Sequence, residues 1–156
     1  MSIKPKTLAV SVALPLAVGG LAALISGGGT EPYAALNRPA LSPPAWLFPV
    51  VWTVLYILMG VAAYLVAVSD AGKAEKRTAL AFYAVQLFFN FLWPIAFFNF
   101  DAYWFAFGWI LLLFVLIFVT AVLFYRITPA AGWLLLPYLF WVAFASYLNF
   151  AVASLN

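Results

Sequence analysis

Every formal charge in this chain lies outside five hydrophobic blocks, and each block is long enough to cross a membrane. The segments before, between and after these blocks hold all four acidic residues and all seven basic residues: Glu31, Asp70, Glu75, Asp101, Lys4, Lys6, Arg38, Lys73, Lys76, Arg77 and Arg126. A charge in the hydrocarbon core is expensive unless it has a function there. This pattern disfavours a proton-coupled pump built on a buried carboxylate. The chemistry inside the protein must therefore come from neutral polar groups and aromatic rings.

The composition predicts one all-α integral membrane domain, residues 1–156, folded as a five-transmembrane-helix bundle. Only 7% of the residues are charged and 69% are hydrophobic, whereas about a quarter of a soluble domain is charged. The predicted spans are residues 7–26, 46–69, 79–98, 104–125 and 132–155. The proline-rich segment 27–45 cannot lie exposed in lipid, because its backbone groups would lack partners. It is predicted to be a loop that caps the bundle.

Three prolines lie within the predicted spans. Pro94 predicts a kink near the end of the third span, whereas Pro49 and Pro137 fall in first turns, where proline is tolerated.

Small residues allow close helix approach in membranes. We interpret both rows as helix packing: Ala9, Ala13 and Ala17 in the first span, and Gly60, Ala63 and Ala67 in the second.

The basic residues predict an orientation. With five spans, six of the seven basic residues fall on one side of the membrane, and only Arg38 falls on the other. The positive-inside rule then places the N-terminus in the cytoplasm and the C-terminus and segment 27–45 outside. The net charge of +3 is carried by the loops. We interpret it as a topology signal and expect no nucleic-acid partner.

The chain has no Cys and no His, which removes several kinds of site. Disulfides, thiolate chemistry, His-ligated haem and an ordinary zinc site are all excluded. We expect neither a metal nor a resident cofactor.

Neutral polar and aromatic side chains within the spans are the candidates for function. Gln86 and Asn90 share one face of the third span, and Trp52 and Tyr56 form an i, i+4 pair in the second. Trp141, Ala145 and Asn149 repeat every four residues in the fifth span, with Tyr138 beside them. Spacing leaves two interpretations open. The amides either hold helices together or bind a ligand, and the aromatic pairs either pack or form ligand walls.

Three segments follow one another along the chain in an informative order. The first runs from Tyr33 through the Pro43–Pro44 pair to Trp52 and Tyr56. The second is residues 83–98, and the third is residues 136–150. Together they resemble the translocator protein family, also called tryptophan-rich sensory proteins or peripheral-type benzodiazepine receptors. Two features depart from the family pattern: Leu41 stands where Trp is frequent, and no basic residue follows Tyr147 to complete a cholesterol pattern. Cholesterol is not predicted as the ligand.

The resemblance implies a membrane protein that forms a homodimer and binds porphyrins and synthetic aromatic amides between its helices. For a bacterial member, the membrane it implies is the cytoplasmic membrane. The pocket it implies comprises Tyr33, Trp52, Tyr56, Gln86, Phe89, Asn90, Tyr138, Trp141 and Ala145. Aromatic walls bind a flat porphyrin by stacking and burial. Arg38 either steers porphyrin carboxylates or is a solvated loop charge.

Three functions follow as hypotheses. The first is a receptor or sensor for tetrapyrroles that transports or sequesters them. The alternative is an enzyme that degrades porphyrin in light and oxygen, with Trp52 and Trp141 as its oxidisable catalytic residues. An exporter is disfavoured, because the spans carry no carboxylates. Conventional hydrolytic or redox catalysis is also disfavoured, because no acid–base pair or nucleophile is visible in the spans.

Overall fold

The computed structural model describes residues 3–28 and 30–156, and all regular secondary structure within them is helical. Residue 29 of the predicted capping loop lies outside the described residues. The elements are α1 Pro5–Ile25, α2 Thr30–Ala34, α3 Leu47–Val68, α4 Lys73–Pro94, a π-helical segment Ile95–Asn99, α5 Tyr103–Ile127, α6 Pro129–Leu134 and α7 Leu136–Leu155. They form five stretches long and apolar enough to cross a membrane. The predicted all-α bundle of five spans is confirmed.

The spans pack in a closed ring. α1 packs chiefly on α3, and α5 lies between α4 and α7. α3 approaches the fifth span through α6, and α1 closes the ring against α4. The order around the bundle is therefore first, second, fifth, fourth and third span, which leaves the space inside the ring for side chains from every span.

The third span begins earlier than the hydrophobic pattern predicts. Residues 73–78, which lie between the predicted spans 46–69 and 79–98, form the first turns of α4. Lys, Ala, Glu and Arg are good helix formers, so the helix extends beyond the apolar stretch. Lys76 lies in this extension, and its Nζ donates to the backbone oxygens of Ala67 and Ser69 at 3.5 and 3.0 Å. A charged side chain thus helps to cap the C-terminus of α3, where cations are favourable.

Proline shapes two spans. The α-helical pattern of the third span ends at Pro94 and continues as the π-helical segment, so the predicted departure from a regular helix occurs there. The fifth span starts at Pro129, and Leu135 separates α6 from α7. Pro137 explains this break, because proline has no N–H to donate and its ring clashes with the carbonyl four residues earlier.

Only one of the two rows of small residues packs against a neighbour within the chain. Gly60 lies against the backbone of Val12, and a Cβ placed on Gly60 would stand 2.5 Å from the Val12 Cα. In the first span, Ala9, Ala13 and Ala17 are exposed. Within the chain, Ser11 and Val12 form the contact with Gly60 instead, so the interpretation of the alanine row as helix packing stays a prediction.

The predicted capping loop contains the short helix α2 and is attached to the far end of the chain. Gly27 and Gly28 follow α1 with φ of 73° and 78°, a conformation that glycine adopts without strain. The Asn37 N–H donates to Asn156 Oδ1 at 3.2 Å, and Asn156 Nδ2 donates to the Asn37 carbonyl at 2.9 Å. We call this reciprocal pair the Asn37–Asn156 clasp, and residues 30–45 the cap.

Candidate ligand-binding cavity

A cavity of about 140 Å³ lies beneath the cap and inside the ring of spans. The first, second, third and fifth spans and the cap all contribute to its wall. In the first span, Gly19 lies so near the Tyr56 ring that an added Cβ would overlap it. Among the described residues, none that lines the cavity carries a charge. The cavity therefore suits an apolar molecule rather than an ion.

Aromatic rings form most of the cavity wall. Trp52 stacks on Tyr56, with ring centroids 5.6 Å apart. Phe48 makes edge-to-face contacts with Tyr33 at 4.8 Å and with Trp141 at 5.7 Å. Stacked and edge-to-face pairs stabilise aromatic clusters beyond their burial alone. They place flat, polarisable surfaces where a planar ligand can stack.

A chain of hydrogen bonds forms the floor of the cavity and joins three spans. The Tyr56 hydroxyl donates to Asn90 Oδ1 at 2.7 Å, and Asn90 Nδ2 donates to the Tyr138 hydroxyl at 2.8 Å. The Tyr138 hydroxyl in turn donates to Gln86 Oε1 at 2.8 Å. Since all four side chains are buried, each bond satisfies groups that would otherwise be costly in hydrocarbon.

A second set of hydrogen bonds fixes the wall nearer the cap. Trp93 Nε1 donates to Asn149 Oδ1 at 2.9 Å, and Asn149 Nδ2 donates to the Tyr103 carbonyl at 2.9 Å. Asn149 thereby ties the third and fourth spans to the fifth. The amide of Asn149 links helices and also lines the cavity.

Two donors at the cap end of the cavity have no partner. The Tyr33 hydroxyl and Trp141 Nε1 are buried, and neither has a hydrogen-bond partner in the part of the chain that the structure describes. Both side chains line the cavity. Arg38 lies beyond Tyr33, with its guanidinium carbon 5.2 Å from the Tyr33 ring centroid, within cation–π range. The cap end therefore offers hydrogen-bond donors next to a positive charge.

Comparison with known proteins decides the family. The sequence pattern of the TspO/MBR family matches residues 11–155. The chain belongs to the TspO/MBR family. It is 39% identical to the tryptophan-rich protein TspO of Chlorobaculum tepidum over 156 aligned residues, which cover 96% of each chain. It is 40% identical to the tryptophan-rich sensory protein of Cereibacter sphaeroides over 126 residues, 81% of this chain and 77% of that one.

The similarity extends to animal members of the TspO/MBR family. The human translocator protein is 38% identical over 133 residues, which cover 82% of this chain and 76% of the human one. The resemblance stated from three sequence segments is confirmed over nearly the whole chain, and an integral membrane protein is supported by both the family and the five apolar helices.

In this TspO/MBR family member, the structure brings together most of the site residues expected from the sequence. Six of the nine line the cavity: Tyr33, Trp52, Tyr56, Asn90, Trp141 and Ala145. Gln86 and Tyr138 are not in the lining but support the floor through their hydrogen bonds. Gln86 is one helical turn before Asn90, so it lies about 6 Å further from the cap.

Phe89 does not belong to the cavity lining. Its ring stacks on Trp109 with centroids 4.2 Å apart, and Trp109 Nε1 donates to the Phe89 carbonyl at 2.9 Å. Neighbouring residues on a helix point about 100° apart. Because Asn90 faces the cavity, Phe89 turns toward the fourth span.

Sequence reasoning missed several aromatic residues of the wall. Trp93, Phe97, Phe98 and Phe48 line the cavity but were not among the expected site residues. Trp93 could have been found, because it lies three residues after Asn90 and so shares its helix face. Phe97 and Phe98 could not, since the π-helical segment changes the angular spacing of side chains after Pro94.

Proposed function

We propose that this protein is a membrane sensor or translocator that binds tetrapyrroles and other aromatic ligands in the cavity beneath the cap. The observation that carries the proposal is the pair of unpartnered donors, the Tyr33 hydroxyl and Trp141 Nε1, in a cavity of aromatic rings. A buried donor without an acceptor costs about 1–3 kcal/mol. A ligand that pairs an aromatic surface with an acceptor edge stacks on the walls and satisfies both donors.

Porphyrin carboxylates fit this end of the cavity. Their oxygens accept hydrogen bonds, and Arg38 next to Tyr33 supplies the opposite charge. The macrocycle itself matches the stacked Trp52 and Tyr56 rings. The family's names, sensory protein and translocator protein, agree with a protein that recognises such a ligand in the membrane.

The size of the cavity adds one requirement. Drug-sized ligands occupy pockets of about 300–1,000 Å³, and this cavity measures about 140 Å³. A porphyrin therefore binds only after the wall or the cap has moved.

A titration of the protein in nanodiscs with protoporphyrin IX tests the proposal through the shift of the Soret band. Tyr33→Phe removes one donor and keeps the ring, so its affinity should fall by about 1 kcal/mol, roughly fivefold. Tyr147→Phe is the matched control, because Tyr147 is 42% exposed and does not line the cavity. Its affinity should match that of the wild type.

An alkyl porphyrin without carboxylates completes the test. It should bind the wild type more weakly than protoporphyrin IX does, and Tyr33→Phe should leave its affinity unchanged. Equal losses for both porphyrins in Tyr33→Phe would show that the hydroxyl does not bind the carboxylates. No saturable Soret shift with either porphyrin would refute tetrapyrrole binding.

A second candidate is porphyrin degradation in light and oxygen, in which the porphyrin is both substrate and photosensitiser and no other cofactor is needed. It is favoured by the position of Trp52 and Trp141, two oxidisable side chains that both line the cavity. Illuminating the titrated samples decides it. In an enzyme, Trp52→Phe and Trp141→Phe retain binding but slow the bleaching of the Soret band, while equal bleaching with and without protein leaves binding only.

The resemblance also supports two proposals about the whole assembly. We propose that the chain forms a homodimer, and that the cap faces away from the cytoplasm, as the distribution of basic residues predicts.

A further inference from the structure

A groove on the outer surface of the bundle lies between the second and fifth spans. Its volume is about 450 Å³, and every residue that lines it is apolar, including Val54, Leu58, Phe140 and Phe144. It lies where α3 and α7 separate, since α3 approaches the fifth span through α6 instead. Val54 and Phe140 are 51% and 70% exposed on this face, so bilayer lipid has access to the groove.

The side chain of Trp141 lies between this groove and the ligand cavity. Its side chain lines both. Among the residues that the structure describes, only Trp141 is common to the two linings, and the other groove residues do not line the cavity. A change in the position of this one indole would therefore join the bilayer-facing groove to the space beneath the cap.

Trp141 is held by packing alone. Its Nε1 has no hydrogen-bond partner within the described residues, unlike that of Trp93, which is bonded to Asn149. Its ring contacts Phe48 at 5.7 Å and Phe144 at 5.7 Å between centroids. Rotation of the indole would break no hydrogen bond, and its aromatic neighbours provide apolar surface on both sides.

We propose that the groove is a lateral entrance through which an apolar aromatic ligand passes from the bilayer into the cavity, with Trp141 as its gate. The occupant of the groove is thus the cavity's own ligand, dissolved in the membrane. A flat hydrophobic ring partitions into hydrocarbon, so a route lined only by apolar side chains never exposes it to water. The identity of that ligand rests on the proposed function, but the route does not.

The chain's lack of cysteine permits a test that needs no specific ligand. Ala145→Cys places the only thiol in the cavity wall, one helical turn from Trp141. Pyrenyl maleimide, added to proteoliposomes, partitions into the bilayer and reports its arrival at this thiol by its fluorescence. The rate of labelling measures access to the cavity even if no porphyrin binds.

Two further substitutions act on the route in opposite directions. Val54→Trp fills the groove and should slow labelling at least about tenfold, equivalent to about 1.4 kcal/mol on the barrier. Trp141→Leu removes most of the gate and should accelerate it. Val115→Trp is the matched control, because Val115 is 55% exposed on the fourth span and lies outside both linings. Its rate should equal that of Ala145→Cys alone.

The cap is the competing route. Asn156→Ala breaks the Asn37–Asn156 clasp and should leave pyrenyl maleimide labelling unchanged if entry is lateral. An unchanged rate in Val54→Trp, or equal slowing by Val54→Trp and Val115→Trp, would overturn the proposal. Faster labelling in Asn156→Ala together with no effect of Val54→Trp would assign entry to the cap instead. None of these results depends on whether the protein binds a tetrapyrrole.

Discussion

At the scale of single residues, Asn90 both links helices and lines the cavity, so its variants separate helix packing from ligand binding. Both polar atoms of its amide already bind other spans, through Tyr56 and Tyr138. We therefore predict that its main role is to hold the floor of the cavity together. Asn90→Ala leaves both tyrosine hydroxyls short of a partner in the apolar interior.

We expect Asn90→Ala to lower the free energy of unfolding by about 1–3 kcal/mol, or nearer 0.6 kcal/mol if relaxation is extensive, as for many bonds between membrane helices. Thermal unfolding in detergent measures it. Asn99→Ala is the control, because the Asn99 side chain donates one bond, to the Ile25 carbonyl, at an exposed position. Unchanged stability of Asn90→Ala with lost ligand affinity would instead make Asn90 a ligand-binding residue.

At the scale of elements, the cap depends on a contact between residues 119 positions apart in the chain. The side-chain amide of Asn156 accepts a hydrogen bond from the backbone N–H of Asn37 and donates one to its carbonyl. Breaking this clasp should release the cap and leave the spans intact, since they are held by their own packing.

Hydrogen–deuterium exchange measures that release. Asn156→Ala should raise the exchange rate of amides in the cap, while α4 and α5 remain as protected as in the wild type. Asn156→Asp keeps the acceptor for the Asn37 N–H and loses the donor, so its exchange should be intermediate. Equal cap exchange in all three proteins would show that the clasp does not hold the cap.

The sequence predicts the helices well where hydrophobicity defines them. It predicts side-chain positions poorly where contacts between distant segments determine them. The absence of charges from the apolar blocks, together with their length, predicted the five spans. The early start of α4 was missed for a different reason, because Lys73 and Glu75 lie outside the apolar stretch that defined the predicted span 79–98 although they are good helix formers. The unpartnered Tyr33 hydroxyl and the stacking of Phe89 on Trp109 depend on packing between spans, which no local pattern encodes.

At the scale of the whole molecule, orientation in the membrane stays a prediction from the basic residues. Ala35 and Ala74 are both exposed and belong to the cap and to the start of α4, at opposite ends of the bundle. In intact cells or spheroplasts, Cys placed at Ala35 should react with an impermeant maleimide, and Cys placed at Ala74 should react only after lysis. The reverse pattern would invert both the topology and the side on which the cap faces.

On the proposed function, a cavity of about 140 Å³ inside the ring of spans also limits the rate of ligand binding. A ligand of porphyrin size must wait for an opening, so at high ligand concentration the association rate levels off at the opening rate rather than rising further. Lid openings take microseconds to seconds. Escape requires the same opening, so the opening rate also sets an upper limit on the dissociation rate. A sensor with such a pocket would not follow changes in ligand supply that are faster than the opening.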